Sequence, residues 1–209
     1  MRRGFLGGTF DPIHCGHLDV ATAAQGALAL DVLDFLPAGT PPHRRMPVAS
    51  VADRLAMARL AVEGHERWVV SDLETLESGR PTYTATTLDR LASSGLDTRT
   101  LFFVTGADAF REIATWKDYP ALLDRCHFVA VSRPGCSARS LPGLLPPLAG
   151  RMLEAPCAIP ARPSIFLVDA VTAPVSSTEV RRRLTAGESV DQLVPDAVAR
   201  YIRSHGLYA

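Results

Sequence analysis

The chain has 209 residues, a length that suits one domain and buries roughly 70% of the surface its unfolded form exposes, so no disulfide framework is needed. Hydrophobic residues make up 47% and charged residues 21%, which argues against disorder. Lys+Arg and Asp+Glu total 22 each, a formal net charge of +0 that speaks against a nucleic-acid partner but leaves room for a small anion held by a local cluster. Cys15, Cys126, Cys136 and Cys157 form no C-x-x-C pair, so zinc-ribbon and thioredoxin-like spacings are absent. No stretch approaches the roughly 20 apolar residues of a membrane span, and the N-terminal residues lack the apolar run of a signal peptide. The expectation is a reduced, cytoplasmic protein without a membrane partner.

In chain order, residues 3–7 read as a strand, followed by a turn-rich stretch 8–16 and a helical pattern over 17–30. Residues 32–37 are a second short apolar run. Pro41, Pro42 and Pro47 make 40–50 a loop. A helix over 51–62 has Asp53 near its start and Gly64 past its end. Strands follow at 68–71, 100–105, 128–132 and 165–168, with helices at 84–91 and 107–114 between them. Residues 133–162 are rich in Pro and Gly and receive no element, and the tail carries two helical patterns, 178–186 and 196–204. Such alternation predicts an α/β fold with a doubly wound, mostly parallel sheet and a small C-terminal helical part from about 176. Ligands of such sheets sit beyond the carboxyl ends of the strands, near a switch in strand order.

The strongest motif is GGTFDPIHCGH, from Gly7 to His17. Paired glycines after a strand let backbone pass close to a ligand, and the next helix offers free N–H groups and a positive dipole end suited to phosphate. His14 and His17 are three apart and reach one side of that helix start. The bland alternative is a tight turn with one exposed and one packed histidine. Four further segments carry candidate chemistry. Arg44, in Pro41-Pro42-His43-Arg44-Arg45, could lay a guanidinium over phosphate or simply be solvated. The threonines of Arg80-Pro81-Thr82-Tyr83-Thr84 are N-cap material, a sufficient structural reason for them. Gly106 and Asp108 at a strand end suit ribose and base contacts, or a plain N-cap, and Trp116 could stack on a ring or pack in the core. Ser177, Thr178 and Arg181 bring hydroxyls, helix N–H groups and a cation to one place, which suits a phosphate or a capped, solvated basic helix.

The Gly7–His17 motif resembles the hallmark of the HxGH nucleotidyltransferase superfamily. With the later segments in order, including Ser132-Arg133-Pro134-Gly135 and the ending Val194 to Tyr208, the chain is similar to the bacterial nicotinate-nucleotide adenylyltransferases. The resemblance implies a Rossmann-like nucleotidyltransferase fold in a single domain over 1–209. It implies AMP transfer from ATP to nicotinate mononucleotide, giving deamido-NAD and pyrophosphate. His14, His17, Arg44 and Arg181 then serve as the catalytic set. Gly7, Gly8, Thr9, Phe10, Gly106, Asp108, Ser177 and Thr178 bind ATP. Asp11, Thr82, Tyr83, Thr84, Trp116 and Arg133 bind the mononucleotide, and Mg²⁺ arrives mainly on the ATP phosphates with no protein-metal site. Tyr208 is expected only to pack, and a homo-oligomer is possible. Alternatives are nicotinamide mononucleotide or pantetheine phosphate as acceptor, a nucleotide-binding regulator without turnover, and a histidine-based metal protein.

Overall fold

A computed structural model describes residues 1–41, 46–76 and 81–209. Seven strands form one sheet: β1 (Arg3–Gly8), β2 (Val32–Pro37), β3 (Trp68–Val70), β4 (Phe102–Gly106), β5 (His127–Val131), β6 (Met152–Glu154) and β7 (Ile165–Val168). Their spatial order is β3-β2-β1-β4-β5-β7-β6, and every pairing is parallel, so the expected mixed component is absent from the named strands. The order reverses between β1 and β4, where Gly4 faces Phe102 and Leu6 faces Val104. The crevice beyond that pair is the place such a sheet offers a ligand.

Side chains alternate across the sheet with period two. Leu6, Phe102, Val104, Val129, Val131 and Phe166 point into one core, where α1 (Cys15–Leu28), α2 (Val51–Val62) and α7 (Asp196–Ser204) pack. Phe5, Phe103, Phe128, Ala130, Ile165 and Leu167 point to the other, against α3 (Thr84–Ser93) and α4 (Ala107–Phe110). The short α5 (Leu141–Leu144) and α6 (Ser177–Thr185) complete the set. Truncating a side chain in either core costs about 2–5 kcal/mol. Tyr201 Oη of α7 donates to Asp53 Oδ1 of α2 at 3.0 Å, anchoring the C-terminal helix.

The sequence expectations hold without change for the helices 51–62 and 196–204. Other boundaries shift for identifiable reasons. The first helix begins at Cys15 rather than 17, with extended His14 as its N-cap, and stops at Ala29, whose left-handed backbone (φ 48°) sends its N–H to Gln25 O. The 107–114 helix divides into α4 and a 3₁₀ turn, Ile113–Thr115. Residues 133–162 contribute β6 and short helical turns. Three residues are too few to show a period, and β6 is recruited by pairing with β7. Among the described residues no helix is long and apolar enough to cross a membrane.

Candidate active site

Gly7 and Gly8 close β1, and the chain then turns through Thr9 and Phe10 into the loop before α1. A Cβ on Gly8 would stand 2.7 Å from the Phe10 ring, so glycine is what lets the chain fold back there. Phe10 is buried with a left-handed backbone (φ 49°), and its ring meets His17 edge-on at 4.9 Å. Only its main chain is therefore offered to a ligand.

The two histidines stack, ring centroids 3.6 Å apart and 21° from parallel. They are not equivalent. His14 is 1% exposed, and its Nδ1 has no hydrogen-bond partner among the described residues. Burial, with nearby Arg133 adding to it, pushes its imidazole down to about 3, so the ring is neutral at pH 7. His17 is half-buried and forms the outer ring of the stack. The His14 amide donates to His17 Nδ1 at 3.2 Å, which puts the proton of a neutral His17 on Nε2 and makes that atom a donor. Both rings were expected at the ligand; the structure sets His14 beneath His17.

The start of α6 docks directly on this loop. Ser177 Oγ donates to Pro12 O at 3.0 Å, and Arg181 Nη1 donates to Asp11 O at 2.6 Å. The helix is capped by Ser176, whose Oγ accepts from Glu179 N at 3.2 Å, so the capping alternative does not apply to Ser177. Arg181 Nη2 also reaches Thr178 Oγ1 at 3.3 Å. Arg133, following β5, donates to Gly16 O at 2.7 Å and to Val175 O at 3.2 Å, joining the first turn of α1 to the approach to α6. His14, His17, Arg133, Ser177, Thr178 and Arg181 thus gather around residues 11–17. Arg44 lies outside the described residues. Asp108 is exposed on the first turn of α4, folded back over Gly106 beside the Arg133 side chain. Asp11 is 4% exposed, and its carboxylate accepts from Val48 N, Ala49 N and Tyr208 Oη.

A second group sits near α3. Thr82 N donates to Thr40 O at 2.8 Å, holding residues 81–82 beside the end of β2. The N-cap of α3 is Tyr83, whose side chain makes no cap hydrogen bond, so the capping alternative does not account for the threonines. A cavity of about 240 Å³ opens between Glu74, Thr82, Tyr83, Thr86, Arg90 and Lys117. Trp116 is half-buried, edge-on to Phe103 and Phe128 at 6.3 Å, and its neighbour Lys117 lies 5.2 Å over the Tyr83 ring.

Sequence reading overlooked two buried charged groups here. Arg54 is 1% exposed and donates to Thr9 O (2.8 Å), Ala38 O (2.6 Å) and Gly39 O (3.0 Å), clamping the ends of β1 and β2 together. Its place was readable: Arg54, Met57, Ala58 and Ala61 fall on one face of α2 at helical spacing. Glu74 is 6% exposed, accepts from Thr87 Oγ1 at 2.6 Å, and is pushed up to about 7 by burial. No pattern marks it in the sequence.

A glycine turn, a histidine pair and two arginines at the switch point of a parallel sheet define a nucleotide-binding α/β protein. The cytidylyltransferase-like family model matches residues 5–183. A probable nicotinate-nucleotide adenylyltransferase of Geobacter sp. (strain M21) is 40% identical over 100% of this chain and 98% of its own. One from Pseudomonas aeruginosa is 42% identical over 99% and 97%. The chain belongs to the nicotinate-nucleotide adenylyltransferase family, within the cytidylyltransferase-like proteins. The same fold occurs in the Plasmodium falciparum nicotinic acid mononucleotide adenylyltransferase complexed with NaAD, with a TM-score of 0.77 at 17% identity and 99% and 97% coverage.

Proposed function

We propose that this chain transfers AMP from ATP to nicotinate mononucleotide, releasing pyrophosphate and forming deamido-NAD. The observation that carries the reading is the gathering of the His14–His17 stack, Arg133, Ser177 and Arg181 around one loop at the β1–β4 crevice. The full-length relatives supply the choice of acceptor. An oxygen of the acceptor phosphate attacks the α-phosphorus. The bond from that phosphorus to the bridging β-oxygen breaks, and its electron pair leaves with pyrophosphate. The acceptor phosphate is already an anion at neutral pH, so the step needs alignment and charge neutralisation more than a base.

In this reading His17 Nε2–H donates to a phosphate oxygen, while neutral His14 supports it from below. Positive charge comes from Arg181, Arg133 and, outside the described residues, Arg44. Gly7, Gly8, Thr9 and Phe10 present backbone to the nucleotide, and Gly106 and Asp108 face its ribose and base. The nicotinate ring goes to the cavity lined by Thr82 and Tyr83, next in sequence to Thr84, and Lys117, the neighbour of Trp116, lines it too. Its carboxylate meets the α3 N-terminus, an interaction of about 0.3–1 kcal/mol that a neutral amide forgoes. Among the described residues no group of three or more His, Cys, Asp or Glu could hold a metal, and the Asp11 carboxylate is taken up internally. In this reading Mg²⁺ arrives on the ATP phosphates as MgATP, with phosphate oxygens and water as most of its ligands. The reading places the reaction in the cytoplasm, where unpaired cysteines such as these four stay reduced.

The test is an acceptor panel with ATP, read as pyrophosphate release. Nicotinate mononucleotide should be turned over well ahead of nicotinamide mononucleotide and pantetheine phosphate. Equal rates on acid and amide would overturn the carboxylate assignment, and ATP binding without pyrophosphate would overturn the enzyme reading.

A further inference from the structure

Asp11 lies in the nucleotide motif, yet its carboxylate faces inward. Oδ2 accepts from Val48 N at 2.8 Å, and Oδ1 accepts from Ala49 N at 3.0 Å and from Tyr208 Oη at 2.7 Å. Tyr208 is 6% exposed, 197 positions away in sequence, and packed in the same core as α7. Arg181 Nη1 donates to the main-chain oxygen of this same Asp11 at 2.6 Å and lies 3.7 Å from its Oδ2. The far end of α6 closes the figure: Thr185 Oγ1 donates to Tyr208 O at 3.0 Å. Helix α6 is thus tied to the motif at its start through Ser177 and Arg181, and at its end through Tyr208. Thr178, Arg181 and Tyr208 share the wall of one cavity of about 370 Å³.

We infer that Tyr208 is a positioning residue for the reaction: its hydroxyl locks the Asp11 carboxylate, and through Asp11 it aims Arg181 at the nucleotide. A carboxylate that accepts several hydrogen bonds has one orientation; one that loses its buried O–H donor is left under-satisfied and turns toward the nearest cation. Among the described residues Arg181 is the cation within 4 Å of that carboxylate, with Arg54 acting on it from farther, and the Arg181 guanidinium would be drawn off the phosphate path. Burial and the neighbouring Asp11 carboxylate push the phenol well above its usual range, so it remains a donor throughout the working pH range.

This inference rests on the reading that Arg181 holds nucleotide phosphate, and the experiment separates the two. Tyr208→Phe keeps the ring and removes the hydroxyl. It should lower kcat/KM for ATP about tenfold and leave KM for nicotinate mononucleotide unchanged. Arg181→Ala should cost more, and adding Tyr208→Phe to it should cost nothing further in kcat/KM. A Tyr208→Phe enzyme with normal ATP kinetics beside an impaired Arg181→Ala overturns the inference and leaves the function standing. Multiplying losses in the double variant overturn it too, because Tyr208 then acts independently of Arg181. An unimpaired Arg181→Ala overturns the phosphate reading itself. Should Tyr208→Phe fold poorly, single-turnover rates of its folded fraction at 10 °C should show the same ATP-selective loss; normal ATP kinetics there sink the inference.

Discussion

Arg133 and Gly16 are fitted to each other. Arg133 Nη1 donates to Gly16 O at 2.7 Å, and a Cβ on residue 16 would stand 2.8 Å from that same nitrogen. The nearest obstacle is the far end of a flexible side chain, but the main-chain oxygen of Ala173 would stand 3.2 Å from that Cβ and His14 Cε1 3.3 Å, so Gly16→Ala must shift the backbone before α6 as well as the guanidinium. The expected stability loss is about 1–3 kcal/mol, the usual cost of overpacking. Activity should fall about a hundredfold, because the displaced cation is misaligned. Urea midpoints and pyrophosphate release measured on the same preparation check this.

His17→Ala and His17→Asn should both lower turnover by about 10²–10³-fold, the loss typical of removing one donor to a developing charge. Asparagine can still accept from the His14 amide, so His17→Asn should be the more stable of the two. Near-normal turnover in either variant would remove His17 Nε2 from the proposed mechanism.

His14 makes stability depend on pH in a defined direction. Its imidazole is depressed from 6.5 to about 3 in the fold, so between those values the unfolded chain binds the proton and the folded one does not. Stability should therefore fall as pH drops from about 6.5 toward about 3. His14→Asn should flatten that slope in urea titrations at stepped pH.

Glu74 works the opposite way. Its carboxyl is raised from 4.5 to about 7, so the folded chain holds the proton more tightly. That contribution is complete below 4.5 and lost as pH rises through 7. Glu74→Gln, which keeps the shape and removes the charge, should raise stability at pH 8 relative to wild type and change little at pH 4. The same urea series checks it.

Arg54→Met should destabilise by about 3 kcal/mol or more. The stem is replaced in kind, but the carbonyls of Thr9, Ala38 and Gly39 lose their buried donor. Residual activity at low temperature should fall as well, because Thr9 belongs to the nucleotide motif. Denaturation midpoints and turnover at 10 °C measure the two effects.

The outline of the fold was legible because its elements obey simple periods. Strands such as residues 165–168 are short apolar runs, and helix 51–62 ends at readable signals. That His14, His17, Ser177 and Arg181 come together around one loop was legible because glycine turns and hydroxyl-bearing helix starts carry local chemistry. What stayed hidden depends on contacts distant in sequence. Strand β6 exists only against β7, and Glu74 acquires its character only from burial. The inequality of the two histidines was equally hidden: three-residue spacing puts both on one side of a helix, but not one beneath the other.

The bond between Asp11 and Tyr208 closes a loop of nearly the whole chain. A ribosome must make everything between the two residues before that contact can form. Strands and helices can assemble during synthesis, but the loop that carries Asp11 gains its last hydrogen bond only after Tyr208 has emerged. A variant lacking Tyr208 would then be a protein that is folded in bulk and poor at its work.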